Sequence, residues 1–219
     1  MNLSRAELAD FAPMAERAVS ADPEALIRLR GAAGSASSAG AAGSVGQPAG
    51  TIAGFVRLPY DVLAGRTIAG PVAGAFDRTF GAADFLRWQA ESGPEAGPEP
   101  ASRDTRWLTG LPPRSGWRRI EVVPDRAIRE VVRSGALLAR DATSRPEQQA
   151  LLSSIVLTVS DDGRNVDVPL GPLSALTRMG FLPRGSEAAV DTAPGWIRVA
   201  AAYGSTYVSD GNPLGLLSL

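Results

Sequence analysis

Residues 91–104, "ESGPEAGPEPASRD", limit what this chain can fold into more than any other stretch. Proline and glycine recur too closely there for a helix or a sheet ladder to run through, and three glutamates keep the segment in water. It therefore predicts a boundary between an N-terminal domain over 1–90 and a C-terminal domain over 105–219, with 91–104 as the linker. A second interruption lies at 31–50, where 17 of 20 residues are Gly, Ala or Ser. That composition has little to bury and loses much backbone entropy on ordering, so a mobile loop is expected. Its length is tolerable because closure entropy grows only with the logarithm of loop size.

Between these interruptions the patterning is regular. Leu8, Phe11, Ala12, Ala15, Ala18 and Val19 recur at helical spacing, with Ser4 and Glu7 offering a capping box and Pro13 marking a start or a kink. "ALIRLR" alternates, with Ala25, Ile27 and Leu29 on one face and Leu26, Arg28 and Arg30 on the other. "TIAGFVRLP" and "DVLAGRTIAG" follow as strands, giving a three-stranded meander with an expanded first loop, and "AADFLRWQAE" reads as a covering helix. Beyond 104, Pro124 and Asp125 open a helix that buries Ile128, Val131, Val132 and Ala136. "RPEQQALLSSI" reads as a second helix with Pro146 in its first turn. A hairpin around Asp162-Gly163, a short helix "GPLSALTRMGFL" closed by Gly180, and a hairpin "GWIRVAA"/"STYVS" complete the half.

Helix, helix, hairpin, short helix, hairpin is the element order of a winged helix-turn-helix module. The expected fold class is therefore α+β, a small N-terminal antiparallel sheet with helices followed by a C-terminal winged-helix-like domain. In that arrangement Leu173, Leu176, Met179 and Phe181 anchor the short helix and leave Ser174, Thr177 and Arg178 facing outward to meet base edges or phosphates. Arg198 on the wing would reach a phosphate. The plainer reading of the same helix is that it covers a sheet.

Charge bears on this choice. The chain of 219 residues has a net charge of −1, so no whole-molecule field draws it to nucleic acid or membrane. Residues 1–102 hold 8 Arg against 11 acids, 103–145 hold 10 against 5, and 146–219 hold 4 against 7. The basic surplus thus falls beside Arg118, Arg119, Arg126, Arg129 and Arg133, while the recognition segment is acidic, an awkward pattern for a DNA reader. Arg126, Arg129 and Arg133 with Glu130 also fit a solvated helix face, and Arg118 and Arg119 could pair with Glu121 and Asp125.

The chain has no His, no Cys and, all 22 basic residues being Arg, no Lys. Ser-His-Asp and Cys-His catalysis, disulfides, zinc ribbons and a P-loop lysine are thereby excluded. Asp161, Asp162 and Asp167 form the one tight acidic cluster, at a turn where Asp is favoured for backbone reasons, and their spacing matches no calcium loop. No cofactor, metal or catalytic activity is expected. An N-terminus without an apolar signal region and the lack of any long apolar run predict a cytoplasmic protein with no membrane partner.

The segments "VRLPYDVLAGRTIAG", "GLPPRSGWRRIEVVP", "VDVPLGPLSALTRMGFL" and "WIRVAAAYGSTYV" together resemble a group of uncharacterised actinobacterial proteins. The resemblance spans most of the chain outside 31–50 and 91–102. It implies a small N-terminal α+β domain with a helix-turn-helix-like C-terminal domain, and transfers no site. The sequence reading is then a non-enzymatic regulatory protein whose partner is double-stranded DNA, contacted through Arg118, Arg119, Arg126, Arg129, Arg133, Ser174, Thr177, Arg178 and Arg198. The competing reading is a protein-interaction module that keeps the winged-helix shape without binding DNA.

Overall fold

The computed structural model describes residues 8–33, 49–72, 74–91, 98–140 and 144–209. Most of the expected mobile loop at 31–50, the proposed capping residues Ser4 and Glu7, and part of the 91–104 linker lie outside them. The described residues divide into two compact units, one formed by the chain up to Arg57 with Gly65–Thr109, the other by Leu58–Ala64 with the chain from Gly110 onward.

In the first unit a 3-10 turn, Ala9–Phe11, leads into α1 (Ala12–Ala21), with Pro13 in its first turn where a missing N–H costs nothing. Strands β1 (Leu26–Ala32), β2 (Ala49–Arg57), β3 (Leu63–Pro71) and β4 (Phe76–Gly81) follow, then α2 (Ala82–Ala90). The strand order is β4-β1-β2-β3, so the expected meander forms and gains a fourth strand against β1. β1 buries Ile27 and Leu29 beneath the helices, where Phe11, Met14, Ala15, Ala18 and Phe85 close the core. The ring of Phe11 lies 2.6 Å from where a Cβ on Gly54 would stand, which is why this position in β2 has no side chain. The free edge of β4 is covered by the chain at 103–104. The Thr79 N–H donates to Asp104 Oδ1 at 2.6 Å, and the Thr79 carbonyl accepts from the Arg103 N–H at 2.7 Å.

The second unit contains β5 (Arg118–Pro124), α3 (Asp125–Leu138), α4 (Arg145–Ser153), the hairpin β6 (Ile155–Asp161) and β7 (Arg164–Pro169), α5 (Leu170–Arg178), β8 (Glu187–Ala193), β9 (Trp196–Ala201) and β10 (Gly204–Ser209). Ser144 caps α4 in a box with Glu147. Asp162 and Gly163 both take positive φ, the geometry of the tight hairpin turn expected there. The strand order of the main sheet here is β10-β9-β8-β5. The tip of the β2–β3 hairpin belongs to this unit. Tyr60 and Asp61 adopt left-handed backbone at φ 66 and 58, Val62 packs against Gly171, and the Tyr60 hydroxyl donates to Gln148 Oε1 at 2.6 Å.

These facts overturn the expected fold class. Eight main-sheet strands, four in each unit, replace a small sheet followed by a winged helix. The hairpin read as a wing is β9–β10, two strands of the main sheet, with β9 hydrogen-bonded on both sides. The helix read as a recognition helix is α5, which lies on that sheet. Leu170, Gly171, Pro172, Leu173, Ala175 and Leu176 are all buried, and the buried Thr206 of β10 donates its hydroxyl to the Pro172 carbonyl at 2.9 Å. The strands that change the answer are β5 and β8, neither of which the sequence announces. β5 carries a bulge between Arg119 and Glu121, and β8 is the weakly strand-forming "EAAVDTA".

Candidate interaction site

Register places the candidate residues more informatively than sequence order does. Arg119 of β5, Asp191 of β8, Arg198 of β9 and Tyr207 of β10 stand directly across from one another, one residue per strand. Asp191 is only 2% exposed. Its two oxygens are taken by the Arg119 Nε at 3.2 Å and the Arg198 Nη2 at 2.8 Å. Such a buried carboxylate is tolerable only with its charge met and its lone pairs hydrogen-bonded. Trp117 covers the cluster, its ring centroid 4.4 Å from the Arg198 guanidinium and 5.8 Å from the Tyr207 ring, and its indole N–H donates to the Pro113 carbonyl. Burial pushes the Tyr207 phenol above its ordinary range, opposed by the hydroxyl of Ser205 and the charge of Arg198.

Arg118, next along β5, turns to the other side of the strand. Its Nη2 lies 2.6 Å from Asp161 Oδ2 and 3.7 Å from Asp162 at the β6–β7 turn. Asp161 and Asp162, two of the three members of the acidic cluster weighed as a metal site, therefore face an arginine, and among the described residues no group of acidic side chains is arranged to hold a metal ion. On α3, Arg129 is anchored by Asp125 at 3.2 Å and by the Leu182 carbonyl at 2.6 Å, whereas Arg126 and Arg133 are exposed and make no ion pair among the described residues. On α5, Thr177 returns its hydroxyl to the Leu173 carbonyl at 3.0 Å, Ser174 is half-buried and Arg178 is exposed. The nine residues thus fall into separate settings: Arg119 and Arg198 on the buried carboxylate of Asp191, a turn clasp at Arg118, and two helices.

A cavity of about 540 Å³ opens between the start of β5, the β6–β7 hairpin and the β8–β9 turn. Arg118 and Arg164 supply its cations, Asp167 its carboxylate, and Ile197 and Val166 its apolar wall. Of these, Arg118 was a nucleic-acid candidate from the sequence and Asp167 belonged to the acidic cluster weighed as a metal site. Arg164 sits across the hairpin from Asp161, a pairing readable from the Asp-Gly turn, but the cavity needs β5 and β8, which pattern alone did not reveal.

Residues 2–109 match the profile of a domain of unknown function (DUF8010) and residues 112–213 that of another (DUF8185), each just under half of the chain. No curated protein matches the sequence. The chain is similar in structure to the Helicobacter pylori beta clamp in complex with 3,4-difluorobenzamide, with TM-score 0.54 at 8% identity over 94% of this chain and 63% of that one. It is similar to the DNA polymerase sliding clamp of Caulobacter crescentus, with TM-score 0.54 at 14% identity over 94% and 64%, and to the Helicobacter pylori beta clamp bound to a DNA ligase peptide, with TM-score 0.51 at 10% identity over 94% and 64%. The chain thus spans less than two thirds of the length of these clamps. A winged-helix DNA-binding regulator, the first reading of the sequence, is overturned by this likeness, as are the descriptions winged helix and helix-turn-helix. At these identities the likeness establishes architecture alone, and that architecture is a sliding-clamp-like fold.

Proposed function

We propose that the protein is a non-enzymatic, cytoplasmic protein-interaction module built on a sliding-clamp-like fold. The observation that carries the reading is the fold itself, matched over 94% of the chain to clamps, one of them bound to a peptide of DNA ligase. Rigid sheets with open cavities present fixed surfaces to partner segments, and the second unit offers such a cavity. With no His, Cys or Lys in the chain, general-base and nucleophile roles would fall to Asp, Glu, Tyr, Ser or Thr. Panning a phage-displayed library of randomised short peptides against the full chain tests it. Enriched sequences that bind the purified protein in calorimetry are the expected result. A library that yields none above background, against protein shown to be folded, overturns the reading. Among the described residues no helix is long and apolar enough to cross a membrane.

A further inference from the structure

We infer that the cavity at the β6–β7 hairpin binds an acidic side chain in an extended segment of a partner protein; the inference rests on the interaction role proposed above. Arg118 and Arg164 both line the cavity, and Asp161 is the register partner of Arg164 across the hairpin. Asp161 directs its carboxylate to Arg118 at 2.6 Å. Arg164, although directly across the hairpin from Asp161, is exposed and makes no ion pair among the described residues. Asp167, the carboxylate of the lining, accepts a hydrogen bond from the Thr158 hydroxyl at 2.7 Å on its own hairpin. One lining guanidinium is therefore without an ion pair, among the described residues, beside a space of ligand size, and a planar fork of this kind takes a carboxylate in two parallel hydrogen bonds.

The rest of the cavity says what should flank that carboxylate. Gly116 and Gly195 lie in its wall, and a methyl built on either would meet nothing within 4 Å, so an approaching backbone has room at both places. Ile197 and Val166 offer an apolar wall in the same cavity. The complementary ligand is an extended segment with Asp or Glu beside a small apolar residue. A segment recognised only by hydrophobic burial would need no arginine here.

The peptides enriched from the random library supply the probe. Their composition is read first, and the tightest is then synthesised with its acidic residue as found and as the amide, Glu→Gln or Asp→Asn. Fluorescence anisotropy compares both peptides against wild type, Arg164→Gln, Arg164→Glu and, as a distant control, Arg126→Gln, at low and high salt. Arg164 is an exposed residue next to a turn, so the variants should fold, and thermal melting checks that they do. Enrichment in Asp or Glu is expected, with affinity falling on the order of tenfold in Arg164→Glu, the size of one charge-assisted hydrogen-bonded contact. The amide peptide should lose about as much against wild type and little further against the variant, and Arg126→Gln should bind as wild type does. Enriched peptides without acidic residues, or equal affinity for wild type and Arg164→Glu, overturn the cavity assignment and leave the interaction role standing. A library that yields no binder overturns both.

Discussion

Each unit contains two arginines closed on one aspartate beneath a tryptophan, and the two clusters differ in how far the aspartate is removed from water. In the first unit Arg28 grips Asp77 with Nε at 2.6 Å and Nη2 at 2.9 Å, Arg30 reaches the same carboxylate at 3.2 Å, and the Arg28 guanidinium lies 5.8 Å from the Trp107 ring centroid. Asp77 keeps 37% of its side chain exposed. In the second unit Arg119 and Arg198 hold Asp191 at 2% exposure, and Trp117 is closer, at 4.4 Å. The first cluster also has the carboxylate of Asp104 acting on Arg28, a second negative charge for its two cations. The same residue types thus meet at a partly solvated carboxylate in one unit and at a buried carboxylate in the other. Because screening by water weakens an exposed pair while an unmet buried charge is penalised in full, energetic importance should follow burial rather than the number of contacts.

The largest effect should come from Asp191→Ala, which leaves Arg198 with no counter-ion on a half-buried sheet face. A loss of about 3–5 kcal/mol in urea unfolding is expected, as for removal of one partner from a buried pair. Arg119 is 63% exposed and can turn to water, so the result should fall toward the lower end. A loss below about 1 kcal/mol would show that the network behaves as a solvated pair and would erase the distinction between the clusters.

Asp104→Ala should come next, at about 1–3 kcal/mol, because it strips the acceptor from the N–H of the fully buried Thr79. This site also carries a pH signature. The Ser102 hydroxyl first, and the Thr79 N–H after it, hold the Asp104 carboxyl below its ordinary value against the opposing effect of burial. A carboxyl whose folded value is depressed binds its proton less readily when folded, so it stabilises above the ordinary carboxylate range and that contribution disappears as pH falls through the depressed value. Melting temperatures measured on acidification should therefore decline more steeply for wild type than for Asp104→Asn. Parallel curves would remove Asp104 from the account.

Trp117→Leu should cost about 0.5–2 kcal/mol through its stacking on Arg198, and Trp107→Leu should lose less of this kind because its guanidinium lies farther away. A larger cation-dependent loss at Trp107, isolated by pairing each change with replacement of its arginine, would invert the comparison. The smallest effect is assigned to Asp77→Asn, roughly 1 kcal/mol or less, and it should shrink further in high salt.

Much of the local structure was legible in the residues themselves. The alternation of "ALIRLR" placed Ile27 and Leu29 inward and Arg28 and Arg30 on the opposite face, as β1 shows. Asp162-Gly163 marked a hairpin, Pro146 a helix start, and the apolar set Leu173, Leu176, Met179 and Phe181 is buried in full. Each of these follows from forces acting over a few neighbours: the period of the backbone, the φ that proline fixes or glycine permits, and the burial of one face.

Only the tertiary structure decided what those elements became part of. Glu187–Ala193 is a strand because β5 and β9 hydrogen-bond to its two sides, a condition that nothing within seven residues can encode. Once it is a strand, Asp191 falls opposite both Arg119 and Arg198, and residues 72 apart in the chain are joined at the one buried carboxylate among the described residues of the second unit. The same step turns a presumed wing into interior sheet, places α5 against that sheet, and forms the cavity beside Arg164. Hydrophobic period and turn chemistry fix which face of a segment is apolar. Which other segment covers that face depends on pairings at long sequence separation, whose free energy appears only when the whole sheet assembles.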